Sequence, residues 1–333
     1  MADQGRTRRR PPRRTEARAT GFESWSTGPN NARGRIAKGV VVPEGVAGFR
    51  LTPRARVFHV GPEFARQLEA ALAAAGVRVT SRDPEHELRE VRENPVRGHL
   101  NKYSPASIAQ ELDWAVDPAR FPREGLVPAG DVMADPFLHE RAAHGGIEAL
   151  LARRRQVSAY FAQAFAADMV VVTLGTVETW FDRRTKRALN NPPLQRIYDE
   201  EPDRFSVRRL DTAEVGANLK TITSRLKARN PKQKVVLTVS PVPLERTYGP
   251  EDVIVANFAG KSVLHAAAVE CAAALPQVDY FPAYEAVLTS DPALVWQPDR
   301  RTVRDEMIAA ITRSFVERYG LFIAADSKTA GSA

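Results

Sequence analysis

The chain has a single cysteine, Cys271, so it can close no disulfide within itself and can build no cysteine-ligated zinc centre. It lacks any uninterrupted apolar run approaching the ~18 residues that a membrane-spanning helix needs. Its first residues are charged, with no apolar stretch behind them, so no secretory signal is expected. A soluble, cytoplasmic protein without a membrane span is the expectation that follows. The six histidines, His59, His86, His99, His139, His144 and His265, are scattered, and no pair has a convincing metal-ligand spacing. Also missing are G-x-G-x-x-G after a strand, G-x-x-x-x-G-K-[ST], H-E-x-x-H and G-x-S-x-G. Without these signatures of dinucleotide, phosphate-loop, zinc-protease and nucleophile-elbow sites, no cofactor and no metal is expected.

Acidic residues are sparse only at the N-terminus. Residues 1–38 hold ten Lys or Arg against three acids (Asp3, Glu16 and Glu23), which is +7 of the chain's net +8. The body is therefore nearly neutral. The opening MADQGRTRRRPPRRTEARAT has few apolar anchors and cannot bury enough surface to order itself. Residues 1–45 are accordingly read as a basic, disordered tail, and 323–333 as a disordered C-terminus. Such a tail is either a solvated extension or a recruiter of nucleic acid or an acidic partner. It lacks the interleaved aromatic residues that single-strand binders use.

Residues 46–322 read as one α/β domain. Val57–Val60 is a short apolar run closed by Gly61. From Pro62 the spacing turns helical, through Phe64, Leu68, Ala71, Leu72 and Ala75, and Gly76 suits the helix end. Further strands are expected at Val77–Thr80, Met169–Thr173, Val235–Thr238 and Val278–Phe281. Between them lie helical patterns near 146–167, from the cap at Asp211 or Thr212 to Asn230-Pro231, near 256–274, and through Met307 to Tyr319. Strands that are apolar on both faces and alternate with amphipathic helices imply a three-layer α/β/α sandwich. Its sheet should be mostly parallel and about five-stranded. Ligands bind such sheets outside the strands' carboxyl ends. Three stretches, near 81–103, 116–137 and 181–210, look like insertions suited to a lid or a partner surface.

The strand ends carry the informative segments. In order they are VFHVGPEFA (57–65), NKY (101–103), TLGTVETW (173–180), TVSPVPL (238–244), KSVL (261–264) and YFPAYE (280–285). Together they resemble the GSCFA-domain family, a branch of the SGNH (GDSL-like) hydrolase superfamily, over about Phe49 to Tyr319. The resemblance implies a serine–histidine site that cleaves esters or transfers acyl groups. Its serine would follow the first strand, its oxyanion donors would come from a glycine and an asparagine, and its base would come from a D-x-x-H near the C-terminus.

Set against that pattern, the family's G-S-C-F-A stands here as Gly61-Pro62-Glu63-Phe64-Ala65, so Pro62 occupies the serine slot. The D-x-x-H stands as Asp299-Arg300-Arg301-Thr302, so Thr302 occupies the histidine slot and only Asp299 is kept. Proline removes the hydroxyl and also the backbone N–H that would serve the oxyanion hole. Losing a nucleophile costs on the order of 10⁶ in kcat. A threonine hydroxyl has no pKa suited to a general base.

Substitute catalytic groups are His99, in a loop the family brings to the site, and Ser240, at a strand end, which would need a nearby base. Glu63 is either a helix-start carboxylate or a catalytic one. His59 reads as a buried, hydrogen-bonded structural histidine. The ligand-binding candidates are Gly61, Glu63, Asn101, Gly175, Thr176, Glu178 and Trp180. For Glu178, ligand contact and a structural ion pair stand side by side; for Trp180, sugar stacking stands beside packing; for Asn101, oxyanion donation stands beside a loop cap. Three functions remain open. One is a degenerate member binding an acylated or carbohydrate-like ligand. Another is an active esterase or acyltransferase with relocated groups. The last is an interaction protein acting through its Arg-rich tail.

Overall fold

The computed structural model describes residues 24–82, 100–138 and 144–321. His86, His99, His139, most of the 81–103 insertion, residues 1–23 of the tail and 322–333 lie outside the described residues. Five strands form the central parallel sheet: β1 (Arg56–Val60), β2 (Arg78–Val79), β6 (Met169–Leu174), β10 (Lys234–Val239) and β11 (Val278–Tyr280). Their order is β2-β1-β6-β10-β11, so the winding reverses between β1 and β6. All five coincide with strands expected from the sequence, and the α/β reading holds.

Side chains alternate across the sheet. Phe58, Val60, Val170 and Val172 enter one core, with Ile108, Tyr160, Leu219 and Leu264 from the helices on that face. Val57, Met169, Val171 and Val236 enter the other, with Phe64, Leu68, Ile311 and Phe315. The helices of the first face are α3 (Pro105–Val116), α4 (Ile147–Ala166), α6 (Thr212–Arg229) and α7 (Val253–Ala274); α2 (Glu63–Ala74) and α10 (Asp305–Tyr319) cover the second.

Local chemistry sets the helix ends. Asp211 and Glu214 form a reciprocal capping box at the start of α6. Gly320, at φ 69°, ends α10 in the left-handed conformation. Pro62 sits at the N-cap of α2, one place before the first helical position. By length and mean hydropathy α7 would pass for a membrane span. Its Ala256, Gly260, Leu264, Ala267, Ala268 and Ala272 pack into the domain.

Two insertions form small antiparallel sheets. Residues 116–137 supply β3 (Val127–Ala129) and β4 (Val132–Ala134), joined by β5 (His144–Gly145). Residues 181–210 supply β8 (Arg187–Ala188) and β9 (Phe205–Arg209), which flank β7 (Glu178–Asp182). A third core beneath them holds Trp114, Phe121, Phe137 and Phe205.

Candidate functional site

A cleft of about 1180 Å³ opens at the carboxyl ends of the central strands. It lies at the reversal between β1 and β6, where an open α/β sheet leaves a crevice. Pro62 and Glu63 reach it from the end of β1, Gly175, Thr176, Glu178 and Trp180 from β6 and β7, and Ser240 from β10. Asp299, Arg301 and Thr302 come from the loop before α10, and Lys261 from α7.

The NKY segment bridges the reversal. Lys102 N–H donates to the Gly61 carbonyl, and the Tyr103 carbonyl accepts from both Gly175 and Thr176 N–H, each at 3.0 Å. The crossing demands small residues. A Cβ on Gly61, whose φ is 154°, would lie 2.7 Å from the Thr173 carbonyl oxygen; a Cβ on Gly175 would lie 2.8 Å from that of Tyr103. What approaches Gly175 is thus the chain's own Tyr103 backbone. Asn101 is fully buried and does not line the cleft. Its carbonyl accepts from Asn190 Nδ2 at 2.8 Å.

The carboxylates are occupied. Glu63 Oε1 accepts from Tyr103 Oη at 2.8 Å, and burial together with Glu63 holds the Tyr103 phenol well above its ordinary range. Glu178 accepts from Arg209 Nε and Nη2 at 3.1 and 3.0 Å, from Thr247 Oγ1 at 2.6 Å and from Tyr248 N–H at 2.9 Å. It therefore makes the ion pair and anchors the loop after β10 while lining the cleft. Thr302 Oγ1 donates to Asp299 Oδ2 at 2.6 Å, and the Arg301 and Thr302 amides donate to Oδ1. The Thr302 hydroxyl and these amides push the Asp299 carboxyl down to about 2.

Aromatic rings form a wall of the same cleft. Trp180 meets the rings of Tyr198 and Tyr248 edge-on, at centroid distances of 5.7 and 5.2 Å. All three line the cleft. Tyr198 and Tyr248 were missed in the sequence because neither belongs to a motif.

Lys261 was quoted in KSVL but given no role. It is 2 % exposed, and its Nζ donates to the Gly175 carbonyl at 2.8 Å. Burial and the charge of Arg301 push it down to about 7. The available signal was a lysine on the buried stripe of an apolar helix, between Gly260 and Leu264.

His59 corrects an expectation. It is fully buried, but neither ring nitrogen has a hydrogen-bond partner among the described residues. Only its backbone is engaged, by Ser81 Oγ and Arg66 Nη2. Burial and Arg66 push the ring down to about 3, so it stays neutral and out of the cleft. Among the described residues, no three His, Cys, Asp or Glu side chains group to hold a metal ion.

The GSCFA family model matches residues 56–315, from the first residue of β1 to the middle of α10. This chain belongs to the GSCFA family. The match spans all five central strands and the whole cleft floor. No curated protein matches the chain.

Proposed function

We propose that this GSCFA-family chain, built on an SGNH-type plan, binds an acylated or carbohydrate-like ligand in the β1/β6 cleft without serine–histidine turnover. The observation that carries the reading is the state of the two catalytic slots. Pro62 caps α2 with neither hydroxyl nor N–H to offer. Thr302 spends its hydroxyl on Asp299, the carboxylate that would otherwise orient a base. The wall of Trp180, Tyr198 and Tyr248 suits a ligand with flat apolar faces and polar edges, as a sugar ring has. Asn190, Ser240 and Thr176 add polar groups along the same cleft.

The test joins turnover with binding. Wild type should be silent on a panel of small acyl esters, and the repaired Pro62→Ser/Thr302→His variant should gain hydrolysis. Calorimetric titration with acetylated oligosaccharides should show binding to wild type. Trp180→Ala should weaken it about two- to tenfold, the scale of one aromatic contact. Wild-type hydrolysis that His99→Ala abolishes would overturn the proposal in favour of relocated catalysis.

A further inference from the structure

A lysine largely buried at the floor of a polar cleft, with no acid beside it among the described residues, is unusual, because removing an ammonium from water is costly unless the charge is paired. The only hydrogen bond of Lys261 Nζ among the described residues is to the Gly175 carbonyl. No described carboxylate lies within 4 Å of it. Asp299 is held by Thr302, Glu63 by Tyr103, and Glu178 by Arg209, Thr247 and Tyr248. Of the other carboxylates lining the same cleft, Asp135 pairs with Arg154, and Glu245 pairs with Arg246 at 3.5 Å and with Arg301 at 3.7 Å. On its own helix, His265 pairs with Glu285 one turn further on. Among the described residues, the charge that acts on Lys261 is that of Arg301, which is positive. Desolvation and a cationic neighbour both favour the neutral amine, and this combination activates a lysine as a nucleophile.

We propose that Lys261 is the nucleophilic amine of the cleft, placed to form an imine with an aldehyde or ketone carbonyl carried by the ligand. The Nζ lone pair forms the C–N bond, and the carbonyl π pair moves to oxygen, which takes up a proton. The carbinolamine then expels water, the nitrogen gives up its protons, and a C=N bond remains. No oxidant or reductant is consumed. The inference stands apart from the glycan reading, since it rests on one side chain and needs no catalytic serine.

The experiment is reductive trapping on the folded, full-length chain. Formaldehyde and, separately, glyceraldehyde are added with cyanoborohydride at pH 7, and peptide masses locate the modified sites among the chain's nine lysines. An amine near pKa 7 is about half neutral at pH 7, whereas an ordinary lysine is neutral in only about one molecule in 10³. Lys261 should therefore be modified at least tenfold faster than the exposed lysines by both aldehydes. Its rate should level off above neutral pH. Arg301→Gln should move the midpoint of that pH profile upward, and Lys261→Met should abolish the fast phase.

Labelling of Lys261 no faster than that of the other lysines, in protein whose urea-unfolded form labels readily at the same residue, would overturn the proposal. Fast labelling by formaldehyde with none by glyceraldehyde would overturn the assignment of a carbonyl ligand. An unshifted midpoint in Arg301→Gln would overturn the role given to its charge.

Discussion

At the scale of single residues, the loop before α10 shows how one neutral hydroxyl sets the state of a carboxylate. A histidine after Asp299 would share its proton with that carboxylate. Thr302 instead donates a neutral hydroxyl at 2.6 Å and closes a tight turn. Asp299 is consequently depressed to about 2, below the ordinary ~3.9 of an aspartate. A depressed carboxylate stabilises the fold above its unfolded pKa, and that contribution fades as pH falls through the folded value. The window runs from about pH 4 down to about pH 2. Thr302→Val should raise the Asp299 midpoint, read from carboxyl ¹³C shifts in an acid titration. An unmoved midpoint would show that the hydroxyl is not what holds the proton off.

At the scale of elements, Glu178 ties three pieces of chain together. It begins β7, pairs with Arg209 at the end of β9, and receives Thr247 and Tyr248 from the loop after β10. Arg209 also pairs with Glu251 further along that loop. The loop carries Tyr248, one side of the aromatic wall, so the ion pair positions the cleft. Glu178→Gln keeps the shape but removes the charge. Hydrogen bonds to a charged group contribute about 1.5–3 kcal/mol, so urea unfolding should show a loss of about 1–3 kcal/mol. Amide exchange should quicken across residues 245–251. Unchanged exchange there would mean that the loop is held by other contacts.

At the scale of the whole molecule, the inserted β3-β4-β5 sheet is joined to the central domain by buried charge. Glu111 on α3 pairs with both Lys102 of the NKY segment and Arg154 on α4, and Arg154 also pairs with Asp135 beside β4. The Arg154 guanidinium lies over Trp114, Phe121 and Phe137 at 4.7–5.8 Å. One network thus holds the segment that crosses the sheet reversal, the insertion that walls the cleft, and two core helices. Removing one member strands the others in a dry interior, at a cost of about 3–5 kcal/mol. Glu111→Gln should lower the urea midpoint accordingly with an unchanged slope. A loss below about 1 kcal/mol would mean that water reaches the network.

The sequence alone determined the parts that local physics controls. Runs such as Met169–Leu174, apolar on both faces, can be satisfied only inside a covered sheet, so five strands and their alternating helices were legible. The capping box at Asp211 and the glycine end of α10 are likewise short-range chemistry. Motif order marked the strand ends, and with them Pro62 and Thr302. What those residues meet was decided only by the tertiary structure. Lys261 and Gly175 are 86 residues apart, and Glu178 and Tyr248 are 70 apart. Burial of Asn101, occupation of Glu63 by Tyr103 and the burial of Lys261 on the cleft floor follow from how distant segments fold over the reversal between β1 and β6. Desolvation and charge pairing are properties of that packed neighbourhood, and no periodicity along the chain encodes them.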